Sequence, residues 1–180
     1  DLLNIKTVAM RRDNMQWVKV PKKTYFEHNA ANYLRHMPDV SRFFIVTDQT
    51  VANEFGNRIT DILANRLGEK SYEIFQAVNP DPDSDVIFDG VHRMKIFKPD
   101  VIIALGGGSV MDAAKAMRLF YENPDMSFED SYQKFLDIRK RTVRFPKDNK
   151  VKLVCIPTTS GSGSEVSPFA IIKDAKTGIK

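Results

Sequence analysis

Val101-Ile102-Ile103-Ala104-Leu105-Gly106-Gly107-Gly108-Ser109-Val110-Met111-Asp112-Ala113-Ala114-Lys115 decides how this chain of 180 residues folds. Five apolar residues without a polar break suit a strand buried on both faces. Three glycines end that run, and Val110, Ala113, Ala114 and Met117 then recur on one side of a helix. Strand, glycine turn and helix form the joint of a parallel α/β sheet. Two uses of such a turn stand side by side. It presents backbone N–H groups to an anion such as a diphosphate, since no Cβ blocks the approach and a helix dipole lies behind. Equally, it lets strand and helix pack tightly. In both cases Ser109 at N-cap and Asp112 at N3 are expected to fix the helix start.

The same alternation extends both ways along the chain. Upstream, Phe43-Phe44-Ile45-Val46 is a second continuous apolar run, followed by a helix with Phe55, Ile59, Ile62, Leu63 and Leu67 on one face and Gly68 as its stop. Tyr72 to Phe75 reads as a strand closed by the turn Asn79-Pro80-Asp81-Pro82. Ile87, Val91, Met94 and Phe97 mark a further helix, ended by Lys98-Pro99-Asp100. Downstream, Ser127 and Asp130 suggest a capping box for a helix carrying Phe128, Tyr132, Phe135 and Leu136. Val151 to Ile156 and Phe169 to Ile172 read as two more strands. At the N-terminal side, Trp17 to Val20 and Thr24 to Glu27 flank Pro21 and suggest a β-hairpin. The fold class is therefore α/β, a Rossmann-like parallel sheet with flanking helices and an N-terminal β-hairpin.

Two further stretches carry chemistry. Pro157-Thr158-Thr159-Ser160-Gly161-Ser162-Gly163-Ser164-Glu165 follows a buried strand with five hydroxyls and two glycines. Such a loop suits phosphate, ribose or amide groups at the strand ends where open α/β sheets take ligands. A flexible linker has the same composition, but it has no reason to sit between two apolar strands. Asp48 is placed at the tip of its strand, where a carboxylate accepts ribose hydroxyls and repels a 2′-phosphate. It is also a helix N-cap residue. Because Asp48 precedes the glycines, the usual dinucleotide fingerprint, in which the acid follows them, is not what this chain contains.

Composition narrows the class. Charged residues are 28% and apolar residues 42%, which excludes intrinsic disorder. The net charge of +4 is mild, and the basic run Arg139-Lys140-Arg141 to Lys147 lacks interleaved aromatics, so no nucleic-acid partner is expected. No apolar run reaches the ~20 residues of a membrane helix. A single cysteine, Cys155, lies in an apolar strand and reads as an inert core thiol; its solitude points to a reducing, cytoplasmic compartment. His28, His36 and His92 lack metal-ligand spacing and read as surface or structural residues. Residues 1–14 read as a polar lead-in, which suggests a piece of a longer polypeptide, with 15–180 as one domain.

Thr47-Asp48, the Asn79-Pro80 turn, Gly106 to Lys115 and Ile156 to Val166 together, in that order, resemble the iron-dependent (group III) alcohol dehydrogenases. Asn4 to Ala9, Trp17 and Phe135 to Pro146 look more narrowly like the alcohol dehydrogenase half of the bacterial bifunctional aldehyde-alcohol dehydrogenases. The resemblance implies NAD-linked interconversion of acetaldehyde and ethanol, with 15–180 as the dinucleotide-binding domain. Carried over by position, Asp48 binds the adenosine ribose, and Asn79 joins the cofactor-binding set. Gly107, Gly108 and Ser109 hold the pyrophosphate with Asp112 beside them. Thr158, Thr159 and Ser162 line the path to the nicotinamide, Phe169 and Ile171 lie along its edge, and Lys180 reaches a ribose hydroxyl. Position 162 is commonly Thr in the family, so Ser162 keeps the hydroxyl and loses a methyl.

The family's ferrous ion is held by one Asp and three His of a helical domain that would follow Lys180. The resemblance thus implies Fe2+ in the intact parent only, and a chain that is inactive alone. It also implies a small-molecule alcohol or aldehyde substrate and a homo-oligomeric or filamentous parent. A non-catalytic oligomerisation module of the same parent is the alternative reading, as is a dehydroquinate-synthase-like or glycerol dehydrogenase-like domain.

Overall fold

Among the described residues four parallel strands form a sheet, in the order β2-β1-β3-β4. They are β1 (Arg42–Val46), β2 (Ser71–Phe75), β3 (Val101–Gly106) and β4 (Lys152–Pro157). This computed structural model describes residues 21–66, 71–131 and 150–180. Between the strands run α1 (Gln49–Val51), α2 (Asn57–Ala64), α3 (Ser84–Phe97) and α4 (Gly108–Glu122). Starting from β1, the chain moves outward to β2, returns past β1 to β3, and continues to β4. The strand order therefore reverses between β1 and β3.

Continuous apolar runs become central strands because each strand sends alternate side chains to opposite faces. Phe44, Val46, Ile102 and Ala104 face α3 and α4, joined there by Ile87, Met94, Met111 and Met117. Phe43, Ile45, Val101, Ile103 and Leu105 form the other face with Leu34, Ile59, Ile62 and Leu63. Burying each such large side chain contributes roughly 1.5–3 kcal/mol, so both faces of β1 and β3 are needed in the core. Asp100 ties the entry ends of these two strands together. One of its carboxylate oxygens accepts the N–H groups of Ser41 at 2.9 Å and Arg42 at 3.0 Å.

Several expectations change. The helix after β1 is not one regular α-helix: a π-turn at Ala52–Gly56 separates α1 from α2. A π-turn resets the phase of a helix face, and Phe55 is accordingly exposed while Ile59, Ile62 and Leu63 are buried. Leu67 and Gly68 lie outside the described residues. Thr24–Glu27 is irregular rather than a strand, with Tyr25 stacked on Tyr33 at 4.4 Å; the hairpin's other half, 17–20, is outside the described residues. Phe169–Ile172 is not a strand either. Its backbone groups go to side chains: Phe169 C=O accepts from Lys115, and Ile171 N–H donates to Asp112 at 3.0 Å. The nearest approach to pairing there is one isolated parallel bridge, Asp83↔Lys173. Glu129–Ser131 is a single 3-10 turn, and the expected stripe at Tyr132, Phe135 and Leu136 lies outside the described residues, as do the basic run 139–147 and the lead-in 1–14.

Candidate functional site

The C-terminal ends of β1 and β3 meet at the point where the strand order reverses, the position at which open α/β sheets take ligands. The last paired residues of these strands are Val46 and Ala104, so Asp48 and Gly106 emerge at the same height on the sheet edge. Thr47 is buried beneath them.

The glycine turn differs from its expected form. Gly107, not Ser109, is the N-cap of α4, and no side chain caps this helix start. Ser109 is already inside the first turn. The first helical bond runs from Met111 N–H to Gly107 C=O at 3.1 Å. The amides of Gly108, Ser109 and Val110 precede it and are the orphan donors of the helix. The two other helix starts on this edge are capped: Asp48 accepts Val51 N–H at 2.8 Å, and Asp83 accepts Val86 N–H at 3.0 Å. Among these three, α4 alone keeps its first-turn amides uncapped. At 15 residues, it also carries a full dipole toward them.

Glycine is needed here for space. A Cβ on Gly106 would lie 2.6 Å from a methyl of Val110, inside the core. Cβ atoms on Gly107 and Gly108 would lie 3.2 Å from Thr159 Oγ1 and 3.2 Å from Ser162 Cβ. The hydroxyl loop after β4 therefore stands directly over the glycine turn. Thr158 N–H donates to Gly106 C=O at 3.1 Å and joins the two loops at their base. Gly161 and Gly163 both have positive φ, 99° and 64°, which lets the loop turn back toward α4. The result is a shallow cradle of three amides and the hydroxyl-bearing residues Thr159 and Ser162, suited to an anion with several acceptor oxygens.

Asp112 does not cap α4. Its two carboxylate oxygens are taken by Lys115 Nζ at 2.8 Å and Ser164 Oγ at 2.5 Å on one side, and by Ile171 N–H on the other. Lys115 and Ser164 were not singled out as site residues in the sequence. The two lie 49 positions apart, and no local spacing reveals such a pair. Asp48 uses one oxygen for its cap and makes no other side-chain bond among the described residues. Asn79 is exposed in its turn. Lys180 pairs with Asp81 at 2.6 Å, which brings it toward the Asn79 turn. Phe169 and Ile171 are both exposed, along the strip that follows the hydroxyl loop.

Cys155 is half-buried in β4, and burial pushes its thiol above the ordinary range; Lys115 works weakly the other way. His28, His36 and His92 are exposed. Among the described residues no three His, Cys, Asp or Glu side chains converge to hold a metal ion, so an iron centre does not fit them. Likewise no helix among them is long and apolar enough to cross a membrane.

An open parallel α/β sheet with a glycine cradle at its switch point defines the broad class. A family model described as iron-containing alcohol dehydrogenase matches residues 21–180. An aldehyde-alcohol dehydrogenase of Streptococcus pneumoniae is 54% identical over 176 residues, covering 97% of this chain and 20% of that protein. The chain thus spans about a fifth of the length of such relatives. An iron-containing alcohol dehydrogenase from Thermococcus thioreducens superposes with a TM-score of 0.72 at 26% identity, covering 83% of this chain and 39% of that one. A sulfoacetaldehyde reductase from Bifidobacterium kashiwanohense, crystallised with NAD+, shares the fold with a TM-score of 0.74 at 22% identity, over 91% of this chain and 42% of that one. The chain belongs to the iron-containing alcohol dehydrogenase family.

Proposed function

We propose that this chain is the NAD-binding domain of an alcohol dehydrogenase that interconverts acetaldehyde and ethanol as part of a bifunctional aldehyde-alcohol dehydrogenase. The observation that carries the reading is the uncapped start of α4 beneath Thr159 and Ser162, at the switch point of the sheet. A dinucleotide's diphosphate supplies the acceptors that the amides of Gly108, Ser109 and Val110 lack. Gly107 and Gly108 let it approach, and Thr158, Thr159 and Ser162 offer hydroxyls along its length. Asp48, with a carboxylate oxygen left over from its cap, accepts from the adenosine ribose and disfavours a 2′-phosphate. Asn79 and Lys180 border the cofactor's path, and Phe169 and Ile171 give the exposed apolar strip an edge for the nicotinamide.

NAD supplies the hydride acceptor when bound, and the domain's task is to hold and orient it. Asp112 acts at one remove in this reading, through the loop it ties to α4. This reading leaves the ferrous ion to another part of the parent enzyme. The chain alone is taken to bind cofactor without turning over ethanol. Titrating NADH into the purified chain and following its fluorescence tests the reading. Saturable binding is expected; a linear, non-saturating response overturns it.

A further inference from the structure

We infer that Lys115 is a positioning residue whose ammonium group pins the hydroxyl loop and the strip after it onto α4, and so shapes the cofactor cradle from below. The inference rests on the proposed nucleotide reading of the cradle and adds to it a residue that does not touch the ligand.

Lys115 sits one helical turn beyond Asp112, on the face of α4 that looks toward the loop. Its Nζ is surrounded by oxygen. It donates to Ser164 Oγ at 2.7 Å, Ser164 C=O at 3.1 Å and Ser167 C=O at 3.3 Å, and also to Phe169 C=O. Asp112 Oδ1 lies 2.8 Å away and balances the charge. Both side chains are only 14% exposed. Three backbone carbonyls of one irregular segment thus converge on a single cation. Without it the carbonyls of Ser167 and Phe169 lose this donor, and the local bond from Ser167 N–H to Ser164 C=O at 3.3 Å does not by itself tie the segment to α4.

Residues 169–172 belong to no strand; Lys115 and Asp112 hold Phe169 C=O and Ile171 N–H, while Phe169 N–H donates to Ser167 Oγ at 3.1 Å and Ile172 packs against the core. Ser164 is buried and lies two residues after Ser162, the residue against Gly108. Holding Ser164 therefore sets where Ser162 stands. A ligand that meets a loop already in place avoids the cost of ordering it, and that saving appears as affinity. Charge alone does not meet the need. The cage requires a cation with several N–H donors on a stem long enough to reach it.

The test uses Lys115→Ala and Ser164→Ala in the full chain, with two readouts. Amide hydrogen exchange over 162–171 reports the pin itself, and NADH titration reports its consequence. Lys115→Ala is expected to exchange faster across that segment and to bind NADH about tenfold more weakly. Propylammonium, which replaces the missing carbons and donors, should restore both. Tetramethylammonium, which carries charge without donors, should restore neither. A role in packing alone predicts that 1-propanol, which has the carbons without the charge, restores as much as propylammonium.

If Lys115→Ala does not fold, Ser164→Ala decides. It removes the hydroxyl between Lys115 and Asp112 while leaving their ion pair, and should loosen the same amides and weaken NADH by a few-fold. Exchange and affinity within error of the parent in the folded variant overturn the inference. A parent that binds no NADH but loses protection over 162–171 in the variant defeats the nucleotide reading and leaves the pin standing.

Discussion

Thr158 donates its backbone N–H to the carbonyl of Gly106 at 3.1 Å, one step beyond Gly106↔Pro157, the last pair of the β3–β4 ladder. This bond makes the two loops of the cradle one unit. The glycine turn and the hydroxyl loop leave the sheet side by side, and their spacing is set by the parallel register rather than by either loop alone.

Gly106 and Gly107 should therefore respond differently to alanine. At Gly106 the new methyl meets Val110, a stiff and buried side chain, at 2.6 Å. Gly106→Ala is expected to lose about 1–3 kcal/mol of stability. At Gly107 the contact is 3.2 Å to an exposed threonine that can give way. Gly107→Ala should stay folded and lose NADH affinity by about tenfold or more. Urea denaturation and NADH titration of both variants check the contrast.

Asp48 has two roles that one substitution separates. Asparagine is as good an N-cap as aspartate, so Asp48→Asn should keep stability within about 0.5 kcal/mol. It removes the negative charge that disfavours a 2′-phosphate. The ratio of NADPH to NADH affinity should rise at least about fivefold. An unchanged ratio with intact stability would show that Asp48 only caps α1.

Much of this fold can be read from the sequence for a simple reason. Strands buried on both faces, such as Phe43 to Val46 and Val101 to Leu105, need unbroken apolar runs, and such runs are conspicuous. The α3 stripe at Ile87, Val91 and Met94 is legible because a helix with one wet face keeps its period. Other features are set by distant partners. The π-turn moves Phe55 to the surface without any local mark. Phe169 to Ile172 has strand-like composition, yet its backbone bonds to Lys115 and Asp112 instead of a ladder. Ser109 and Asp112 have the spacing of a capping box, but Gly107 takes the cap position and Asp112 is drawn to Ser164, 52 residues on. The residues that line the cradle and Asp112 are thus legible in the sequence, whereas the bonds of Lys115 and Ser164 beneath them are not.

Cys155 gives a pH dependence of definite sign. Burial raises its thiol pKa, so the folded chain prefers the neutral form. The stability this preference confers is complete below the pKa of the unfolded thiol. It is lost as pH rises through the higher folded value. The unfolding midpoint should fall more in the parent than in Cys155→Ala as pH rises past the ordinary thiol value of about 8.5. In the folded parent, a thiol reagent should also react with Cys155 more slowly than with free cysteine at the same pH.

The amide resonances of Gly108, Ser109 and Val110 test the central claim most directly, followed by 15N-edited NMR as NADH is added. The account predicts that all three shift and saturate with one common Kd, and that ADP moves the same three. Saturable binding that leaves them unmoved while shifts gather elsewhere, for example around Glu122 to Met126 at the opposite end of α4, would contradict it.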